Sequence, residues 1–544
     1  MKWKCYLIIG LALSVSLMVR ADAVWQWSAP IGKGRAFLWI SPGCQQVRAV
    51  IVAQNNMLEE GILQHEYFRK QMAKLGIAEM FIAPPFDTWQ NPTNNDATDE
   101  KFNALLKTLA GDSGYGELAF APVIPIGHSA LASYPWNFAA WNPDRTLAIL
   151  SIHGDAPRTT LVGNGQPNVD WGGRNIDGIP GLMVMGEYEW WEDRLTPAVK
   201  FHAAHPATPV GVLCDVGHGH FDCSDELVRF LALFIRKSVE QRLPVKLSPG
   251  KPPVLKPVDP KNGWLVACWH KGKTGPLTAG PLAKFSGNPD DAFWCFDKEM
   301  AQASVNFNSK CGTLPQLAGF MQNSEFVPQT ETHQQANLKF EPQADGVTFK
   351  LAGAFYAQVP GGSSRLTNWT GLPVGAPLNH AANGGPVRIS RITGPVAQLD
   401  ADTFAVRFSR ATVNVDRRMG DIWLLASHPG DAKYKSAVQQ ALLKIPAALK
   451  DGAEQHIAFP EISDQKAGVK SLRLAAVSDA GLPVYYYVRE GPAEMDGDVL
   501  RFTEIPPRAK FPVKVTLVAW QYGRNVDPKI QSAMPVEREF SITR

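Results

Sequence analysis

Dense clusters of lysine and arginine are missing from this sequence. The formal net charge is only +3 over 544 residues, so the electrostatic footprint of a nucleic-acid-binding protein is absent. Long apolar runs are missing too. Mean hydropathy is -0.14, and the apolar stretch near the start, residues 5–19, falls short of the ~20 residues that span a bilayer. Cysteine is scarce, seven in all, and there is no CxxC or HExxH spacing to gather ligands around a metal. The sequence therefore assigns no metal and no cofactor. What is left, 45% hydrophobic and 19% charged, is the composition of a globular protein, and this length implies two to four domains.

Lys2 and Lys4 precede the apolar stretch, and Ala21-Asp22-Ala23 follows it in small-x-small order, the pattern of a secretory signal. The expectation is a leader over 1–23, a mature chain from Val24, and a secreted or periplasmic location with no membrane span after cleavage. Six cysteines would remain, Cys44, Cys214, Cys223, Cys268, Cys295 and Cys311, in a compartment that permits disulfides. Cys214 with Cys223, and Cys295 with Cys311, are the nearest pairs, and the sequence selects no connectivity.

Over 24–246, short apolar runs alternate with amphipathic segments. This is the texture of a mostly parallel sheet flanked by helices. Strands are expected over 47–53, 78–83, 119–126, 147–152, 181–185 and 210–215, and helices over 65–75, 100–110, 129–141 and 224–241, the last capped by Ser224. Prolines crowd 247–261, which reads as a linker. Residues 262–455 look β-rich, with one helix expected over 433–444, stopped by Pro446. Residues 456–544, with strands over 471–477, 483–488, 499–502 and 513–520, resemble an Ig-like or fibronectin-like β-sandwich.

One local motif carries chemistry. In Pro125-Ile126-Gly127-His128-Ser129-Ala130 a serine follows an apolar strand and opens a helical segment, as in a nucleophile elbow, where small neighbours let strand and helix approach closely. Here residues 24–244 resemble the α/β-hydrolase superfamily, with one departure: Leu131 stands where G-x-S-x-G has its second glycine. The resemblance implies the chain order nucleophile, acid, histidine. Gly186-Glu187-Tyr188-Glu189 looks like the turn that bears the acid; Glu189 is assigned, with Glu187, Glu192 and Asp193 as alternatives. Gly217-His218-Gly219-His220 looks like the turn that presents the base; His220 is assigned, with His218 as the alternative. Two histidines in one turn could also hold a metal, but no third ligand stands at suitable spacing. For the oxyanion hole the resemblance implies the backbone N–H of Ala130 and one from Asn56 or Met57.

Tryptophans crowd this region. Trp136 and Trp141 read as core, whereas Trp171, Trp190 and Trp191 are candidates for stacking on a sugar face. The resulting expectation is an exported carboxylic ester hydrolase working through an acyl-enzyme on Ser129, acting on a small-molecule or polysaccharide ester, in particular an ester-decorated carbohydrate. Two rivals stand beside it: a prolyl-oligopeptidase-like serine peptidase, and a non-catalytic carbohydrate-binding protein with a hydrolase-like fold.

Overall fold

The computed structural model describes residues 23–544, apart from 160–167, 190, 249, 272–274, 310–313, 332–333 and 412–417, and apart from the side chains of Trp191 and Ser309. The expected leader, Cys311 and Trp190 lie outside the described residues. Among these residues no helix is long and apolar enough to cross a membrane.

Eight strands form one sheet: β1 (Trp27–Ile31), β2 (Gly34–Trp39), β3 (Ala49–Gln54), β4 (Ile77–Ala83), β5 (Val123–His128), β6 (Ile149–Ile152), β7 (Gly181–Gly186) and β8 (Val210–Asp215), in the order β1-β2-β4-β3-β5-β6-β7-β8. β2 runs against both its neighbours and the other pairings are parallel. β3, β4 and β5 are buried along their whole length. They therefore read as continuous apolar runs rather than alternating ones. The β1–β2 hairpin was not expected from the sequence, yet Gly32-Lys33 forms its two-residue turn with Gly32 at φ 56°, the conformation that a glycine supplies.

Helices cover the sheet: α1 (Glu59–Gln64), α2 (Glu66–Leu75), α3 (Asn95–Ser113), α4 (Tyr134–Trp141), α5 (Trp191–Ala204) and α6 (Asp225–Arg242). Ser224 caps α6, its Oγ accepting from the Leu227 N–H at 3.1 Å. The helix expected over 129–141 is divided, a 3-10 turn over Ser129–Leu131 preceding α4. α5 was not anticipated, because Pro197 sits inside it and an interior proline ordinarily argues against a helix.

The proline-rich stretch is pinned to the sheet domain: the Lys256 N–H donates to the Arg242 carbonyl and the Val258 N–H to that of Gly178. Beyond it, β9 (Trp264–Ala267), β10 (Ala279–Pro281), β11 (Ala292–Cys295) and α7 (Lys298–Ser309) follow. Trp294, Phe296 and Met300 join the same apolar cluster as Ile51, Ile126 and Leu182.

Small sheets, mostly antiparallel, fill the rest. The helix expected over 433–444 is a strand, Ala437–Lys444, paired with Asp421–His428 on one side and with Gln335–Leu338 on the other. Cross-strand partners satisfy its backbone, and Val438, Ala441 and Leu443 are buried, so tertiary pairing overrides a helix-compatible sequence. At the carboxy-terminal end Val513–Trp520 runs between Tyr485–Glu490 and Val536–Thr543. Val515 and Leu517 share an apolar cluster with Trp27, Ala36 and Leu109, so this sandwich packs on the β1–β2 edge and α3. Cys214 and Cys223, the pair suggested by proximity in sequence, form no disulfide with each other.

Candidate active site

Ser129 follows β5 directly, with φ 54°. A serine in the left-handed region is strained and persists only where the surroundings fix it. Gly127 shows how they do so: a Cβ there would lie 2.0 Å from the Leu131 carbonyl oxygen. Strand and turn therefore touch backbone to backbone. Leu131, 7% exposed, is accommodated where the motif has glycine. The second close approach is made from β6 instead, since a Cβ on Gly154 would fall 2.0 Å from that of Ala132.

The turns after β7 and β8 bring the partners. Ser129 Oγ lies 2.7 Å from His220 Nε2, and His220 Nδ1 lies 2.5 Å from Glu189 Oε2. Glu189 Oε1 also accepts from the Gly186 N–H at 2.6 Å. The two turns are joined, because the Glu187 N–H donates to the Asp215 carbonyl and the Tyr188 N–H to the His218 carbonyl. Gly186 must be glycine here, as a Cβ would sit 2.7 Å from the His218 carbonyl oxygen. Burial opposes charge on Glu189, yet His153 and His220 outweigh it and hold the carboxyl well below its usual range. Burial lowers the His220 pKa, opposed by Glu189. A neutral imidazole facing a hydroxyl, held by an ionised carboxylate, can act as a general base.

Ser129 directly after β5, Glu189 after β7 and His220 after β8 thus coincide with a sheet in which β2 alone runs against the rest. The sheet domain has the α/β-hydrolase fold. Solved structures similar to it include a phospholipase/carboxylesterase from Dyadobacter fermentans (12% identity, TM-score 0.25, covering 40% of this chain and 99% of that one). An S-formylglutathione hydrolase from Agrobacterium tumefaciens is also similar (11%, 0.29, 41% and 97%), as is a dienelactone hydrolase from Anabaena variabilis (16%, 0.25, 40% and 98%). No family model matches the chain, and no curated protein does.

The alternative site residues are engaged elsewhere. Glu187 accepts from the Gly217 N–H at 2.9 Å and from Lys435 Nζ at 2.5 Å. His218 Nδ1 lies 2.9 Å from Asp222 Oδ2. Glu192 and Asp193 are exposed on α5.

The oxyanion assignment needs correction. Ala130 is exposed, and among the described residues no acceptor takes its N–H. The N–H groups of Asn56 and Met57, however, both donate to Glu59 Oε2, at 3.2 and 2.9 Å. Glu59 Oε1 accepts from the His128 N–H at 2.8 Å. A buried carboxylate therefore takes the donors that the sequence reading reserved for substrate, and burial pushes its pKa up to about 7. Asn56 serves the site by its side chain, Nδ2 donating to the His128 carbonyl at 2.8 Å. Two histidines that the sequence did not single out complete the setting. His128 Nε2 lies 2.8 Å from the His220 carbonyl oxygen, and His153 Nδ1 lies 2.5 Å from Glu189 Oε1.

The sugar-stacking assignment of Trp171 does not hold. It is 1% exposed, its Nε1 donates to Asn137 Oδ1 at 2.9 Å, and it packs with Trp136 in the core. Trp191 is placed only as the start of α5. Aromatic residues of the β-rich region do reach this end of the sheet. Trp369 stacks on Tyr188 with centroids 4.8 Å apart and donates to its carbonyl, and Trp423 lies 5.1 Å from Phe221. Arg418 Nη1 reaches Asn56 Oδ1 at 3.3 Å, and Arg391 Nη2 reaches Glu60 Oε2 at 3.0 Å. The turns that carry Glu189 and His220 are thus held from above as well as from the sheet.

Proposed function

We propose that the protein is a serine hydrolase of carboxylic esters, with Ser129 as nucleophile, His220 as general base and Glu189 as the acid that orients it. One observation carries this reading: a strained serine after β5 offers its hydroxyl to an imidazole that is itself held by a buried carboxylate. His220 takes the hydroxyl proton as Oγ attacks the ester carbonyl. The tetrahedral intermediate collapses, the alcohol leaves with that proton, and water then releases the acid from the acyl-enzyme by the same route. Ala130 N–H supports the oxyanion; Asn56 and Met57 N–H do not, while Glu59 holds them. The leader read from the sequence adds export to the proposal. An ester-decorated carbohydrate remains the substrate class put forward, now without Trp171 as a sugar platform.

A fluorophosphonate probe should label the wild type and fail on Ser129→Ala. Absence of labelling in a folded wild type would favour the non-catalytic rival. A panel of acetylated, feruloylated and methyl-glucuronoyl sugars beside alkyl and peptidyl esters tests the substrate, and turnover confined to peptidyl esters would favour the peptidase.

A further inference from the structure

On the side of Glu189 away from His220, His153 follows β6 at φ 47° and is wholly buried. Its Nδ1 is committed to Glu189 Oε1 at 2.5 Å, while Nε2 has no hydrogen-bond partner. Facing Nε2 are Asp215, the last residue of β8, and Asp222, from the turn beyond His220. Both carboxylate oxygens of Asp215 and Oδ1 of Asp222 are buried and likewise lack a hydrogen-bond partner. His218 Nε2 stands 3.9 Å from Asp215 Oδ1, beyond hydrogen-bonding range. The ligand atoms of His153, Asp215 and Asp222 all lie within 4.8 Å of one another, and the three residues are 0%, 1% and 3% exposed. Buried polar atoms are ordinarily satisfied. Here three side chains bring ligand atoms within 4.8 Å of one another, and each carries a buried unsatisfied atom.

We propose that His153, Asp215 and Asp222 bind a divalent transition-metal ion. One imidazole nitrogen with two carboxylates is a donor set suited to zinc or manganese and unsuited to soft monovalent copper. The surroundings fit as well. A ligating histidine characteristically gives its other ring N–H to a carboxylate, which fixes the tautomer, and Glu189 accepts that bond from Nδ1. Ligating carboxylates are themselves hydrogen-bonded, and Asp222 Oδ2 lies 2.9 Å from His218 Nδ1. Arg194, the nearby guanidinium, is directed to the carbonyls of His153 and Gly154 and lies 3.8 Å from Asp155. The ion would not touch substrate. It would act through His153, fixing the lobe of Glu189 that His220 does not use. Because the three ligands are buried, it would be acquired on folding and exchange slowly.

The test uses the full mature chain purified without chelator, as wild type and as Ser129→Ala, with metal content measured by mass spectrometry. Both should carry about one equivalent per chain, and His153→Gln or the pair Asp215→Asn and Asp222→Asn should carry less than about a tenth of that. Retention by Ser129→Ala separates this site from the esterase reading, which a lost probe signal tests on its own. Should the variants not fold, wild type unfolded with chelator and refolded with Zn²⁺ should melt higher than the same protein refolded without it. Refolding with Co²⁺ should add visible ligand-field absorption. Metal-free wild type, with no response to Zn²⁺, Mn²⁺ or Co²⁺ on refolding, would overturn the proposal and leave a proton shared between His153 and the aspartates.

Discussion

The two ends of this molecule treat charge in opposite ways. At the carboxyl ends of β3 and of β5 to β8, Glu59, Glu189, Asp215, His128, His153 and His220 are all buried, and each is held by named donors or faces another member of the group. In the carboxy-terminal sandwich the commonest ion pairs are exposed ones, such as Arg473 with Asp498 and Arg501 with Asp496. Buried charge is costly unless paired and hydrogen-bonded, so a concentration of it at one place needs a reason, and chemistry supplies one. Exposed pairs need none. The contrast accords with the site proposed at the sheet's carboxyl end and predicts very different responses to substitution in the two places.

The largest effect should follow Ser129→Ala. Removal of the nucleophile is expected to lower kcat by about 10⁶-fold and leave the melting temperature nearly unchanged. Steady-state kinetics on the best ester from the panel, beside a thermal melt, would check both halves. A loss below about 10-fold would mean that the hydroxyl is not the nucleophile.

Gly127→Ala comes next and breaks the elbow instead of the chemistry. A methyl group 2.0 Å from the Leu131 carbonyl oxygen cannot be accepted without moving backbone. Overpacking of this kind costs about 1–3 kcal/mol, and a displacement of about 1 Å at the nucleophile can cost about 10² in rate. Urea denaturation and kinetics together should show both. Unchanged activity would mean that the turn has slack.

How much of this was legible beforehand depends on where the physical signal resides. β3 to β8 were visible because parallel strands buried on both faces leave continuous apolar runs. Ser129, His220 and Glu189 were visible because each sits in a glycine-bearing turn just after such a run. His153 and Glu59 carry no local signature: one follows a strand and the other opens a short helix, and each matters only because the fold brings it against residues far away in sequence. The same reason explains Asp215 and Asp222, whose spacing matches no metal motif. The strand Ala437–Lys444 was misread for a related reason, since its preference is decided by the strands on either side. Trp171 failed as a surface residue because a glycine-rich neighbourhood does not reveal whether a ring turns inward.

Glu59 offers a subtler break. In the folded protein its pKa is about 7 against 4.5 as the ordinary value, so the native state binds this proton more tightly than the unfolded chain. Its contribution is therefore fully present below pH 4.5, declines as pH rises towards 7, and stays low above it. The span amounts to about 3 kcal/mol. Glu59→Gln keeps the bulk and cannot ionise. Its absolute stability should fall, since one amide oxygen must replace two carboxylate oxygens facing three N–H groups, but its stability should depend less on pH between 4.5 and 7. Equal slopes for both proteins across that window would show that Glu59 is ionised throughout.

The smallest effect belongs to the sandwich. Arg501 and Asp496 pair diagonally across the hairpin of Ala493–Asp496 and Val499–Phe502, with side chains 54% and 61% exposed. Water already solvates both groups, and holding two long side chains together loses rotamer freedom, so Arg501→Ala should change unfolding free energy by less than about 0.5 kcal/mol. Glu490, in the same sandwich, is 2% exposed and accepts from Ser28 and from Thr516 Oγ1, with Lys514 Nζ at 2.7 Å. Glu490→Ala strips a buried cluster of its acceptor and should cost clearly more, on the order of 1–3 kcal/mol. Urea midpoints at fixed slope would rank the two variants. If Arg501→Ala proved the more damaging, burial would not be what separates the two ends of the molecule, and the inference from buried charge to function would lose its footing.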